Sequence, residues 1–79
     1  MGVGFVCKQD KLTAFLEGEI DHHTAGGLRE AVDAKAGQIK PRELRLDFSK
    51  VTFMDSSGIG LIMGRYRLME ALGGSLVVC

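Results

Sequence analysis

The hydrophobic period changes twice in the second half of the chain, and this narrows the possible folds more than any other feature. Leu44, Leu46 and Phe48 alternate with Arg45 and Asp47, the period of a strand with one buried face, so a strand is expected over Glu43 to Phe48. A loop from Ser49 to Asp55 follows. From about Ser57 to Leu72, Ile59, Ile62, Met63, Tyr66 and Met69, joined by Leu61, Leu68 and Leu72, take up helical spacing. This apolar stripe is broad, so much of the helix circumference is expected to be buried. Gly73-Gly74 stops the helix, and Leu76-Val77-Val78-Cys79 is a continuous apolar run, as expected of a strand covered on both faces. Strand, helix and strand with short connections describe a parallel pair joined by a right-handed crossover.

The first half adds a hairpin and a helix. Val3, Phe5 and Cys7 alternate with Gly4, Val6 and Lys8; Leu12, Ala14 and Leu16 alternate with Thr13, Phe15 and Glu17 up to Gly18. Gln9-Asp10-Lys11 between them reads as a polar turn, making the two strands antiparallel. Asp21 or Thr24 can cap a helix whose stripe is Leu28, Ala31, Val32, Ala36 and Ile39. Gly26 and Gly27 weaken its first turns, and Pro41 ends it. The expected fold class is α/β, a mixed sheet with an N-terminal antiparallel hairpin, parallel strand–helix–strand units and helices packed on the sheet. At 79 residues the chain is one domain, 1–79, and 46% hydrophobic with 25% charged residues is the composition of a folded protein.

Composition also excludes function classes. Ten basic and ten acidic residues leave no positive surplus for nucleic-acid phosphates. No apolar run approaches the ~20 residues that span a bilayer, and the N-terminus has no secretory pattern. Cys7 and Cys79 are therefore expected to be reduced core thiols of a cytoplasmic protein. The chain stops inside its last apolar strand, which leaves an edge to be covered. Either the natural protein continues, or a partner chain completes the fold, and a homodimer through the C-terminal strand is the expectation for this form.

The densest chemical signal is Phe53-Met54-Asp55-Ser56-Ser57-Gly58-Ile59-Gly60. It sets an acid, two hydroxyls and glycines at a loop-to-helix junction. Capping accounts for one hydroxyl. Two in tandem, at a helix start whose free N–H groups favour an anion, also read as a phosphorylation or anion site. Gly58, Gly60 and Gly64 do not complete a dinucleotide fingerprint, because Met63 holds the third glycine position; close packing of Gly60 and Gly64 against the sheet fits them better. Asp21, His22 and His23 lack a third residue at metal-ligand spacing. With Ser56 or Ser57 they could form a hydrolytic triad, since loops at the carboxyl ends of parallel strands can be neighbours; no nucleophile elbow is present. Arg65, about two turns past Gly58, stands at the edge of the apolar stripe, where it could meet an acidic partner.

Four segments together resemble a known family: Gly18-Glu19-Ile20-Asp21-His22-His23-Thr24-Ala25, the Asp55-Ser56-Ser57-Gly58 block, Gly64-Arg65-Tyr66, and Gly73-Gly74 before Leu76-Val77-Val78-Cys79. The chain is similar to the anti-sigma factor antagonists, built on the STAS domain, and in particular to the sporulation antagonists of the sigma-F system. The resemblance covers the chain from about Phe5. It implies a protein that binds an anti-sigma factor with serine kinase activity and so releases a sigma factor. By the same resemblance the kinase uses ATP to phosphorylate Ser56 and a serine phosphatase reverses it. Asp21, Asp55, Ser57, Gly58 and Gly60 would then form the partner-binding surface, and the domain itself would catalyse nothing and carry no cofactor or metal. Family members continue after the fourth strand with elements this chain lacks. The alternatives are a small serine-dependent hydrolase, and a STAS module serving a sensor or transporter.

Overall fold

The hairpin closes more tightly than the sequence implies. In the computed structural model, which describes residues 2–79, β1 (Gly2–Lys8) and β2 (Lys11–Ile20) pair antiparallel down to Lys8 and Lys11. Only Gln9 and Asp10 remain for the turn, with φ of 52° and 65°. Positive φ at both central residues is the geometry that follows strand twist, and an aspartate tolerates it better than most residues. Lys11 is thus the first residue of a strand, not part of the turn.

Then come α1 (Ala25–Ile39), β3 (Glu43–Met54), α2 (Ser56–Ala71) and β4 (Ser75–Val78). The four strands lie in the order β1-β2-β3-β4, with β1 antiparallel to β2 and the remaining pairs parallel. This is the expected mixed α/β sheet. β2 runs on past Gly18 to Ile20, with register irregularities at Phe15/Glu17 and Gly18/Glu19. Its tail pairs with Lys50, Val51, Phe53 and Met54, so the expected loop from Ser49 is strand instead. Ser49-Lys50 breaks the apolar alternation, yet the neighbouring strand supplies backbone partners that a single sequence does not reveal.

Leu12, Ala14, Leu16 and Ile20 of β2 and Leu44 and Leu46 of β3 form one buried cluster with Leu28, Val32 and Ala36 of α1 and Leu61 and Met69 of α2. Both helices therefore cover the same sheet face. Phe15 and Val6 stand exposed on the other. Lys40, at φ 53°, closes α1 with its N–H on the Ala36 carbonyl, just before buried Pro41.

One-sided packing overturns three expectations. On α2 only Gly58, Leu61, Arg65 and Met69 are buried, while Ile59, Met63 and Tyr66, and Leu72 just after the helix, are each about half exposed. The last strand is an edge strand with Ser75 and Val78 exposed, not one covered on both faces. Cys7 and Cys79 are free but exposed, not core thiols. The glycine expectation also shifts. A Cβ on Gly60 or Gly64 would meet nothing within 4 Å, whereas one on Gly58 would run into the Met54 side chain and one on Gly74 into the Arg42 carbonyl oxygen.

Candidate functional site

Parallel pairing brings the carboxyl ends of β2 and β3 side by side. Ile20 is in register with Met54, and the Asp55 N–H donates to the Ile20 carbonyl at 3.1 Å. Two loops therefore leave the sheet together, one beginning at Asp21 and the other at Asp55. This is where open α/β sheets place their ligands.

The first loop is held by Asp21. Its Oδ1 accepts the His23 N–H at 2.8 Å and the Thr24 N–H at 3.1 Å. Thr24 Oγ1 accepts the Asp21 N–H and donates to the Glu19 carbonyl, each at 3.0 Å. Thr24 is the residue preceding α1, but its side chain makes no cap bond; the Asp21 carboxylate serves the two amides before the helix, and the Asp21 carbonyl accepts the Ala25 N–H at 2.9 Å. The His23 amide, and to a smaller extent the Thr24 amide and the His23 and His22 charges, hold the Asp21 carboxyl below the ordinary aspartate range, while burial opposes them. His22 and His23 are exposed, with ring centroids 4.0 Å apart.

The second loop is held by Asp55. As N-cap of α2 it is extended at φ −97°, and its Oδ1 accepts the Ser57 N–H at 2.8 Å. Its carbonyl accepts the Gly58 N–H at 3.0 Å. The cap is thus the aspartate, which leaves both serines free of that duty. Ser56 is exposed and Ser57 half-buried. Gly58 is buried against Met54 and lets α2 begin close to the end of β3, whereas Gly60 lies open at the surface.

The structure thus brings Asp21, Asp55, Ser56 and Ser57 to one end of the sheet. It does not assemble a hydrolytic triad. The Asp21 carboxylate is engaged with backbone amides, and among the described residues neither imidazole makes a hydrogen bond to Ser56 or Ser57. Arg65 is not at the surface to meet a partner. It is buried, with Nε 2.7 Å from Asp33 Oδ1 on α1. Periodicity alone places Ile59, Met63 and Tyr66 in the core; they instead form an exposed apolar stripe descending α2 from Ser56 at helical spacing. A helix with apolar residues on more than one face carried the signal, since a sheet covered on one side can bury only one of them.

Comparison with known proteins identifies the family and the fold. The STAS domain family model matches residues 6–79. The chain is 41% identical over 64 residues to an anti-sigma F factor antagonist of Paenibacillus polymyxa, covering 81% of this chain and 55% of that protein. It is 38% identical over 61 residues to an anti-sigma-B factor antagonist of Bacillus subtilis, covering 77% and 54%. The chain thus spans about half the length of the curated relatives it matches. Among solved structures, the unphosphorylated anti-sigma factor antagonist SpoIIAA superposes with a TM-score of 0.78 at 29% identity, over 98% of this chain and 71% of that one. The phosphorylated form of the Bacillus protein gives 0.75 at 30%, over 95% and 68%. With its family match running almost from end to end and its sheet order and helices in agreement, the chain belongs to the STAS domain family.

Proposed function

We propose that this chain is an anti-sigma factor antagonist, whose unphosphorylated form binds an anti-sigma factor with serine kinase activity and so frees a sigma factor. Phosphorylation of Ser56 ends the binding, and a serine phosphatase restores it. One observation carries the reading: Ser56, an exposed serine at the first position of α2, stands next to the Asp55 cap at the end of the sheet from which Asp21 also emerges. The relatives' names support it. Asp21, Asp55, Ser57 and Gly60 belong to the contact surface, and the Ile59–Met63 stripe adds apolar area to it. Gly58 contributes from beneath, by seating α2 on Met54. The chain is a binding module of the cytoplasm with no role in catalysis or at nucleic acid. No helix among the described residues is long and apolar enough to cross a membrane.

The switch acts through surface charge. A phosphate adds about −1.5 to −2 charges. At a helix N-terminus this is tolerated by the dipole, so α2 survives. Against Asp21 and Asp55 the same charge is repelled, and a tight interface would have to desolvate it. The phosphorylated and unphosphorylated SpoIIAA structures both superpose on this chain, which fits a switch that leaves the fold in place.

The test uses ATP and the anti-sigma F factor of Paenibacillus polymyxa, with phosphate uptake read by mass spectrometry. Wild type takes up phosphate, Ser56→Ala takes up none and Ser57→Ala retains part. Undiminished uptake by Ser56→Ala overturns the assignment.

A further inference from the structure

We infer that the cleft between the first turns of α1 and α2 receives an acidic side chain of the partner kinase, with Arg29 as the charge that holds it. The inference rests on the function proposed above and adds the recognition chemistry of a second contact beside Ser56. The cleft has a volume of about 270 Å³ and is lined by Ala25, Gly26, Arg29, Ser57, Gly60 and Leu61. A Cβ on Gly26 or Gly60 would meet nothing within 4 Å, so the space between the helices is open.

Charge along the helix seam is unbalanced. Arg29 and Asp33 lie one turn apart on α1, the spacing at which opposite charges ordinarily pair. Asp33 is taken by Arg65, which reaches across from α2 to 2.7 Å. Arg29 has no ion pair or hydrogen bond among the described residues. Of the two guanidiniums along the seam, only Arg65 has a carboxylate partner. Arg65 Nη1 is buried without a hydrogen-bond partner. Burial chiefly lowers the Arg65 pKa; Asp33 opposes that, and the Arg29 charge lowers it further. Arg29 and Ser57 both line the cleft, and a guanidinium with a hydroxyl is a donor set that suits a carboxylate.

The anion is protein-borne. One exposed guanidinium holds a free ion too weakly to matter. The same charge inside a larger contact adds specificity and association rate. Ser57 lines the cleft and adjoins Ser56, so a kinase that covers Ser56 stands over the cleft as well.

The experiment measures binding kinetics of the unphosphorylated chain with the Paenibacillus polymyxa anti-sigma F factor, at low and high salt. Arg29→Ala is expected to weaken binding about threefold and Arg29→Glu about tenfold, mostly in association rate, with the loss shrinking at high salt. Lys8→Glu, an equal charge reversal at the hairpin end, should bind like wild type. Arg29 is exposed, so an unchanged thermal transition excludes loss of fold. Wild-type binding undisturbed by Arg29→Glu overturns the cleft inference alone. Equal losses for Lys8→Glu and Arg29→Glu also overturn it, because net charge would then account for both. No binding by wild type overturns the proposed function, and the inference with it.

Discussion

Removing Asp33 should harm this fold more than removing Arg65, although both changes break the same ion pair. Arg65 is the only charged side chain buried in the described residues, 8% exposed against 38% for Asp33. Nε and Oδ1 are 2.7 Å apart without the alignment of a hydrogen bond, and Nη1 has no partner. Desolvation of the guanidinium is thus only partly offset. Asp33→Ala leaves that charge buried and alone. Breaking a fully buried pair in this way costs ~3–5 kcal/mol. Water reaches the Asp33 side, so about 2 kcal/mol is the better figure here. Arg65→Met removes the buried charge, keeps most of the stem volume and leaves Asp33 to solvent, at about 0.5 kcal/mol.

The double variant should then resemble Arg65→Met alone, giving a coupling of about 2 kcal/mol between the sites. For a domain of this size 2 kcal/mol corresponds to a fall in Tm of roughly 10 °C. Urea and thermal unfolding followed by far-ultraviolet circular dichroism measure all four proteins. Should Arg65→Met cost as much as Asp33→Ala, or the two losses add, desolvation of Arg65 does not govern the seam and the reasoning fails.

Three further outcomes are expected. Gly74→Ala should lower Tm, because its Cβ would lie 2.7 Å from the rigid Arg42 carbonyl oxygen, while Gly37→Ala, with open space around it inside α1, should raise stability by up to ~1 kcal/mol; urea midpoints decide. Because folding lowers the Asp21 pKa, its contribution is present above the unfolded value and lost as pH falls through the folded one; the His23 and Thr24 amide resonances should move with a midpoint below the ordinary 3.8, and a midpoint at or above it counts against the loop geometry. β4 is a sheet edge with Val78 49% exposed, so wild type should self-associate in sedimentation equilibrium and Val78→Lys should not; a monomeric wild type at micromolar concentration refutes the edge contact.

What the sequence revealed and what it hid have one physical origin. Element order and parallel topology follow from periodicity, and with them the meeting of the Asp21 and Asp55 loops, since adjacent parallel strands must end together. The Asp55 cap was less legible: an acid and two serines all suit the start of a helix, and only backbone geometry gives the cap to the acid, leaving Ser56 outward. The burial of Arg65 was hidden because its partner sits on another helix, and side-by-side helix packing leaves no periodic trace. The face of α2 was hidden for a related reason. Ile59, Leu61, Ile62, Met63, Tyr66, Leu68 and Met69 supply more than one apolar stripe, and periodicity cannot choose between them. The sheet chooses by burying Leu61 and Met69, and Ile59, Met63 and Tyr66 remain in solvent below Ser56. Exposed apolar area of that extent is a cost to a lone chain and a source of affinity to one that meets a partner. The surplus that blurred the sequence reading is thus the property a binding surface needs, and it lies on the helix whose first residue carries the proposed switch.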